Sequence, residues 1–364
     1  MRQLDCSAIW DAAFYDRESM EQAASQEVVA SKEGRLKLLK TLPGFAISAF
    51  FLWWTFRGFH LSAFRSVRLV APVWIVGVVV FSVLGYGTRC VRWWLMLRSV
   101  GSSLSACSRV FLTSLAANNF LPFRIGDVMR IFTYADDLRA TPSIVLSTVL
   151  LEKLLDVFSL AVLFVATMNT GASVSPHLRS AAEIGLGIST VGLLVMVFGA
   201  RTLEGPIKRA FAKTSNAKLA KVEHWLLLAL ECIRNIGIAG TLLLILVSAI
   251  AWFFEGLLYV SAVRLVGLAT DWAGPWQAVA QANLSFLIPS SPGGIGPFEW
   301  ACKDALLRHG TSDASAAIFG LLIHGWLLVA ITAVGGGWFF AHRLHRDRRL
   351  PLAQELDTLP AQLP

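Results

Sequence analysis

Long apolar stretches cover most of this chain, and short polar or basic segments separate them. A helix needs about 20 consecutive apolar residues to cross the hydrocarbon core of a bilayer. Runs that approach or exceed this length predict about six full transmembrane helices. Their expected limits are residues 36–56, 69–90, 142–167, 183–200, 240–262 and 314–341.

Two further apolar runs, residues 107–121 and 276–288, are too short to cross a bilayer. The first passes into NNFLPFRIGDVMR, which starts at Asn118, and the second into PSSPGGIGP, which starts at Pro289. Each run then restarts as a helix-like segment. Irregular backbone at membrane depth is tolerated only where protein buries it or where it lines a watery cavity. We therefore expect two re-entrant helical hairpins, at residues 105–138 and 276–309.

The two hairpins also suggest an internal repeat. The acidic residues of the restarting segments, Asp127 and Glu299, lie 172 positions apart (299 − 127), and so do Glu152 and His324. In the predicted order of spans, the hairpins enter from opposite faces of the membrane. Many transporters build their binding site from inverted repeats whose broken helices meet near the midplane. The predicted fold class is therefore an all-α polytopic membrane protein with six spans and two re-entrant hairpins in an inverted repeat.

Composition supports a membrane protein, because 55% of the 364 residues are hydrophobic and only 15% are charged. That is too little charge to cover a soluble surface. The net charge of +8 comes from basic residues beside apolar runs, as in cytoplasmic loops, so no nucleic-acid partner is expected. RCVRWWLMLR, from Arg89, is interpreted as the cytoplasmic end of the second span, and both termini are expected in the cytoplasm. The expected organisation is a tail at 1–35, a transmembrane domain at 36–342 with halves 36–200 and 240–342, a basic cytoplasmic loop at 201–234, and a tail at 343–364 that is disordered after Leu350.

The breaks carry the chemistry that we expect to bind a ligand. A restarting helix directs free backbone N–H groups into the cavity and favours anions there. Gly293, Gly294 and Gly296 allow close approach of a ligand to the backbone, and Pro297 suits a first helical turn. The alternative is a structural turn between two interfacial helices. Two breaks with matching charges favour a site, to which Asn119 and Pro289 also belong.

Arg124, Asp127 and Arg130 follow one another at a spacing of three, which places them on roughly one helical face. A guanidinium group pairs bidentately with phosphate oxygens, so both arginines are candidates for a lipid phosphate, with Asp127 between them. The alternative is an interfacial helix whose arginines neutralise Asp127 and touch ordinary headgroups, which is our interpretation of Arg139.

Further ionisable residues lie inside apolar segments, where a charge costs about 2.5–3.5 kcal/mol on insertion scales and usually faces the bundle interior. Glu152 and Asp156 share a helical face and repel each other unless a base intervenes. We expect them to pair with Arg124 or Arg130, either as a gate or as a structural lock. Residues assigned to gating or ion pairs are Glu152, Lys153, Asp156, Glu255 and Lys303. Glu255 is either partnered by a remote base or neutral, and His324 is expected to be a hydrogen-bonded structural residue.

LPFRIGDVMR, LEKLLD and LIPSSPGGIGPFE, together with RCVRWW, resemble the blocks of the lysylphosphatidylglycerol synthase/flippase membrane-domain family. The family forms the flippase-like half of multiple peptide resistance factor proteins and also occurs alone. The resemblance spans about residues 36–342. It implies a bacterial inner-membrane protein that moves polar lipids between leaflets, with the acid-base pattern carried by Arg124, Asp127, Arg130, Glu152, Asp156 and Glu299. Lys153 departs from the family, which often has arginine there. No aminoacyl-transfer domain follows, so no lipid synthesis is expected.

The functional hypothesis is a flippase for a phospho- or glycolipid headgroup. Alternatives are an ion-coupled carrier of a soluble solute, a lipid-modifying enzyme, and a non-transporting partner of a lipid-modifying enzyme. No metal-ligand cluster, nucleotide-binding loop or nucleophile motif is present, so no cofactor, metal or catalytic residue is expected. Expected partners are a membrane lipid and the bilayer, with a homodimer and a separate lipid synthase or glycosyltransferase kept open.

Overall fold

The protein is mostly helical in the part of the chain described by the structure, a computed structural model that covers residues 42–57, 69–170, 174–212 and 217–357; no strand occurs in these ranges. The predicted N-terminal tail lies outside them. The helices are α1 (Leu42–Phe56), α2 (Trp74–Leu97), α3 (Leu104–Phe120), α4 (Ile125–Phe132), α5 (Pro142–Thr167), α6 (Pro176–Thr202), α7 (Glu204–Phe211), α8 (Ala217–Val266), α9 (Gly274–Leu284), α10 (Pro297–Arg308) and α11 (Asp313–Asp357).

Four segments of the described chain are long and apolar enough to cross a membrane: Trp74–Val100, Pro176–Val195, Ile236–Val266 and Asp313–Leu344. They correspond to four of the six predicted spans. The predicted span at 142–167 is α5, which has 26 residues but contains three charged side chains in its middle turns. The predicted span at 36–56 corresponds to α1, which is a shorter apolar helix in the described residues.

The first of the two predicted breaks separates α3 from α4. Ser103 caps α3 by accepting a hydrogen bond from the backbone N–H of Ala106, and α3 ends where Leu121 takes an extended conformation before Pro122. Phe123 and Arg124 both have left-handed backbone angles, with φ of 55° and 52°. Residues other than glycine rarely adopt this backbone conformation, so contacts with the surrounding structure must stabilise the turn. After it, α4 packs back against α3.

The second break separates α9 from α10 and depends on glycine. Gly293, Gly294 and Gly296 have φ of 72°, 73° and 102°, which is accessible to glycine at little cost. A Cβ atom on Gly296 would lie 2.6 Å from the carbonyl oxygen of Ser48 on α1, so the close approach also excludes a side chain. Pro297 then starts α10, which packs back against α9.

The hairpin α3–α4 packs against a long helix of the second half of the chain, and the hairpin α9–α10 packs against a long helix of the first half. Helix α2 packs along α8, α3 packs against α11, and α5 packs against α9. The α3–α11 contact is close, because a Cβ atom on Gly335 would lie 2.2 Å from the carbonyl oxygen of Leu112. One buried apolar cluster joins α8, α9, α10 and α11, and a second joins α2, α3 and α5. The core therefore surrounds both breaks.

Disorder after Leu350 is a prediction that the structure contradicts, whereas the predicted cytoplasmic loop at 201–234 proves to be mostly helical. The segment at 201–234 contains α7 and the first part of α8, which kinks at Gly237. Basic residues in that segment fit a helix surface as well as a loop, as the contact of Lys208 with Glu204 one turn earlier illustrates. The tail expected to be disordered after Leu350 continues α11 as far as Asp357.

Candidate functional site

A cavity of about 620 Å³ lies between the two helix breaks. Asn118, Asn119 and Arg124 line it from the first break, and Gly293 and Gly294 line it from the second. Most of the remaining wall is apolar. The charged residues of the wall are Arg89, Arg124, Glu152, Lys153, Asp156 and Glu255. The predicted breaks therefore border one cavity and bring acids and bases from several helices to it.

Direct hydrogen bonds hold the first break against the second half of the chain. Asn119 Nδ2 donates to the carbonyl oxygen of Leu328 at 3.3 Å and to Thr332 Oγ1 at 2.9 Å, both on α11. Arg124 donates from a guanidinium nitrogen to the carbonyl oxygen of Phe286, near the second break, at 3.0 Å. The relative position of the two breaks is thus fixed by polar contacts and not only by apolar packing.

Arg124 is the cation that the first break presents most openly. Its guanidinium carbon lies 5.7 Å from the centre of the Phe286 ring, within the range of a cation–π contact. Among the described residues, no carboxylate lies within salt-bridge distance of it. Arg124 therefore lies in the cavity wall, and its role as a ligand-binding residue stays a prediction.

Arg130 is instead the centre of a buried ion-pair network. Its side chain has no exposed surface and donates to Glu152 Oε2 at 2.9 Å and to Asp127 Oδ1 at 3.0 Å. It also lies between the rings of Trp93 and Phe111, at 4.8 and 5.2 Å. The predicted pair of Glu152 with Arg130 is confirmed. Direct headgroup contact by Arg130 or Asp127 does not fit this arrangement, because neither residue lines the cavity.

Lys153 and Asn118 connect that network to the cavity. Lys153 Nζ lies 3.4 Å from Asp127 Oδ2 and 3.5 Å from Glu152 Oε1, and about a third of its side chain is exposed. Asn118 Nδ2 donates to Asp127 Oδ1 at 3.3 Å, while Asn118 Oδ1 is buried without a partner among the described atoms. A charged group that enters the cavity would therefore interact electrostatically with Asp127 through its neighbours Lys153 and Asn118.

Asp156 and Glu255 take their bases from α2, which the sequence analysis missed. Asp156 pairs with Arg92 at 2.7 Å and not, as predicted, with Arg124 or Arg130. Glu255 pairs with Arg89 at 2.9 Å, so it has the remote base that was one of its two expected states. The sequence analysis interprets RCVRWW as the cytoplasmic end of the second span; in the structure its two arginines are buried, where they compensate two acids.

At the second break, Glu299 is the third residue of α10, and its carboxylate caps the first turn of this helix. Glu299 Oε2 accepts the backbone N–H of Gly296 at 2.7 Å, and Glu299 Oε1 contacts His324 Nδ1 at 2.7 Å. Lys303 donates to the carbonyl oxygen of Thr55 at 2.7 Å and pairs with Asp313 at 2.9 Å. Of the predicted residues at this break, Pro289, Gly293 and Gly294 line the cavity, whereas Gly296, Glu299 and Lys303 lie behind its wall.

His324 also lines the cavity and was expected to be structural. It is hydrogen-bonded, as predicted, but to the acidic residue of the opposite helix, with its second ring nitrogen on the carbonyl oxygen of Gly293. The shared offset of 172 positions was the signal that could have linked it to Glu299. In the described ranges, no group of three or more histidine, cysteine or acidic residues is arranged to hold a metal ion.

The fold and site together define a multi-pass helical membrane protein with a charged cavity between two helix breaks. The model of the family described as lysylphosphatidylglycerol synthase TM region matches residues 42–335, and the chain belongs to this family. The family is a membrane domain associated with lipid synthase and flippase function. No curated protein and no solved structure matches the chain.

Proposed function

We propose that the chain is a lipid translocase that binds a polar headgroup in the cavity between the two breaks and leaves the acyl chains in the bilayer. The observation that carries this proposal is the composition of the cavity wall. Polar and charged groups gather on α2, α5 and α8, while leucine, isoleucine and phenylalanine side chains form much of the remainder. An amphiphilic wall of this kind suits an amphiphilic ligand.

The headgroup is anionic at its phosphate, because two cations of the wall have no short carboxylate contact. Arg124 binds a carbonyl oxygen at 3.0 Å, and the carboxylate oxygens nearest Lys153 are 3.4 and 3.5 Å away. Charge-assisted hydrogen bonds are usually about 2.7–2.9 Å long, so both cations keep capacity for a further anion. The arginines at positions 89, 92 and 130, in contrast, each have an acid within 3.0 Å.

The two hairpins are re-entrant in this proposal and enter the bilayer from opposite faces as halves of an inverted repeat. Support comes from their reciprocal packing, since α3 of the first half lies on α11 and α9 of the second half lies on α5. Support also comes from Asp127 and Glu299, which are each the third residue of the helix after a break. The chain would reside in the bacterial inner membrane with both termini in the cytoplasm.

The buried ion pairs would exchange partners as the cavity changes the side to which it opens. Arg89–Glu255 joins α2 to α8, and Arg92–Asp156 joins α2 to α5. Each pair therefore crosses a boundary between helices that must slide or tilt during alternating access. A proteoliposome assay can test this proposal, with a fluorescent phospholipid in place of the natural lipid.

The test compares Arg124→Ala/Lys153→Ala with wild type in vesicles of phosphatidylcholine that contain fluorescent phosphatidylglycerol. Hydrogen bonds to charged groups contribute about 1.5–3 kcal/mol each. Losing them should slow leaflet exchange at least about tenfold. Arg139→Ala, which removes an exposed arginine outside the cavity wall, is the matched control and should exchange lipid at the wild-type rate. Equal rates in all three proteins would refute the proposal.

A further inference from the structure

The second break holds a histidine between two hydrogen-bond acceptors. His324 Nδ1 lies 2.7 Å from Glu299 Oε1, and His324 Nε2 lies 2.9 Å from the carbonyl oxygen of Gly293. A neutral imidazole offers one donor and one acceptor nitrogen, whereas the imidazolium offers two donors. A backbone carbonyl only accepts, so Nε2 must carry a proton. The contact between Nδ1 and Glu299 then needs a second proton.

The pair therefore holds one proton more than an ionised glutamate beside a neutral histidine. Either Nδ1 carries this proton, or Glu299 carries it as a carboxylic acid that donates to Nδ1. Both arrangements keep the same contacts and the same proton count. Without the proton, two lone pairs would face each other in a site where the two side chains are only 2% and 3% exposed. The His324 ring also stacks on Phe298 at 4.0 Å between centroids, which fixes its plane.

The first half of the chain has a fixed cation at the corresponding place. Moving back 172 positions takes Glu299 to Asp127, His324 to Glu152 and Cys302 to Arg130. In that half, Arg130, whose side chain keeps its charge, bridges Asp127 and Glu152. In the second half the arginine position is a buried cysteine, and the acid on the long helix is a histidine. A removable proton thus occupies the role that a guanidinium group has in the first half.

Few charges surround the pair. On α8, Tyr259 interacts electrostatically with Glu299 and with Glu255, which is itself paired with Arg89. On α10, Cys302 faces Glu299, while Lys303 directs its ammonium group to Thr55 and Asp313. Across the cavity, Arg124 lies near Phe286, and α5 contributes Glu152, Lys153 and Asp156. Helix α2 contributes Tyr86, which lies beside Arg89. The polar residues that α3 contributes to the cavity wall are the neutral Asn118 and Asn119. Among the described residues, no lysine or arginine lies within salt-bridge distance of Glu299, whose ion-pair contact is with His324.

We propose that Glu299 and His324 form a one-proton binding site that couples proton binding to headgroup binding. When the proton leaves to water in the cavity, one of the contacts of His324 with Glu299 or Gly293 must open. Glu299 also holds the N–H of Gly296, so this change moves the glycine break. The protonated site carries one more unit of positive charge and favours an anionic headgroup. By linkage, the headgroup favours proton uptake to the same degree.

Glu299→Gln is the decisive variant, because its amide N–H can donate to His324 Nδ1 while its oxygen accepts from Gly296. It reproduces the contacts of the protonated pair without a titratable proton, so it should fold. The first measurement follows ring ¹⁵N signals of labelled histidines in phosphatidylcholine nanodiscs from about pH 5 to pH 9, which spans the ordinary range of histidine. Signals of His324 are identified by their loss in His324→Gln.

In wild type the His324 signals should change across this range, and in Glu299→Gln they should stay constant. His177→Gln, which replaces an exposed histidine on α6, is the matched control and should leave the His324 titration unchanged. Constant His324 signals in wild type, or the same titration in Glu299→Gln, would overturn the proton site. This measurement requires no transport.

The coupling rests on the proposed function and is measured separately, in vesicles of phosphatidylcholine with fluorescent phosphatidylglycerol. With one proton per lipid, a pH difference across the membrane should shift the leaflet ratio of the probe by up to about tenfold per pH unit. Glu299→Gln should show no shift. Exchange in wild type that ignores the pH difference would overturn the coupling. Absence of exchange at every pH would instead refute the proposed function and leave the histidine titration to decide the proton site.

Discussion

Replacing Arg130 by methionine should destabilise the fold strongly, because two buried carboxylates lose the cation that they share. The Arg130 side chain has no exposed surface, and the Glu152 side chain is 2% exposed. Breaking a buried ion pair by removing one partner costs about 3–5 kcal/mol. Methionine keeps an unbranched apolar stem between Trp93 and Phe111, so the loss measures charge more than packing.

A second substitution should restore much of that stability. In wild type, Arg130 and Lys153 balance Asp127 and Glu152, and Arg130→Met leaves one uncompensated negative charge. Adding Glu152→Gln returns the group to neutrality, with Lys153 still 3.4 Å from Asp127. The double variant should therefore recover more than half of the lost free energy of unfolding.

The free energy of unfolding can be measured by titrating dodecylmaltoside micelles with sodium dodecyl sulfate and following the far-ultraviolet circular dichroism. A single variant within about 1 kcal/mol of wild type, the range of ordinary substitutions, would refute the role of Arg130 as an obligatory shared cation. A double variant less stable than Arg130→Met would refute the argument from charge balance.

Two further predictions concern packing and pH. Gly335→Ala should lower the free energy of unfolding by about 1–3 kcal/mol, because the added Cβ atom would meet the carbonyl oxygen of Leu112. The control is Gly336→Ala, whose added Cβ atom has no neighbour within 4 Å and should leave the free energy of unfolding unchanged. Equal effects of the two substitutions in the same detergent titration would contradict this packing. Burial raises the pKa of Asp271, but hydrogen bonds from His309 and from two backbone N–H groups outweigh it and lower that pKa below its usual 3.8. The ionised Asp271 therefore contributes fully to stability above about pH 4, and this contribution is lost as the pH falls through the lowered pKa. Asp271→Asn should make the melting temperature fall less steeply below about pH 4 than in wild type. The same pH dependence in both proteins would contradict this prediction.

The sequence was sufficient to find the helix breaks, because proline and glycine act locally. Pro122 and the glycines that follow Pro292 interrupt apolar runs. The starts of α3 and α9 and the end of α10 lie within two residues of the predicted limits, whereas α4 ends six residues before the predicted limit at 138. The pair of Arg130 with Glu152 was also predictable, since a buried acid needs a nearby base and the two residues are only 22 positions apart.

The partners of the remaining acids depend on how distant helices pack, and local pattern carries no such information. Arg92 reaches Asp156 across 64 positions, and Arg89 reaches Glu255 across 166. An arginine beside tryptophans has the same local signature at a membrane interface as in a buried ion pair. A comparison of the number of buried acids with the number of nearby bases would have pointed to α2. Arg124 and Arg130 alone cannot neutralise the four carboxylates of Asp127, Glu152, Asp156 and Glu255, and α2 carries two more arginines.

The central claim, that both helix breaks hold one headgroup, is tested most directly by photocrosslinking with a phosphatidylglycerol that carries a diazirine on its headgroup. Crosslinked peptides from the protein in vesicles are mapped by mass spectrometry. We expect headgroup crosslinks at residues 118–124 and also at residues 286–294, both lost in Arg124→Ala/Lys153→Ala and both retained in Arg139→Ala. Crosslinks at only one break, or only on outward-facing helix surfaces, would contradict it.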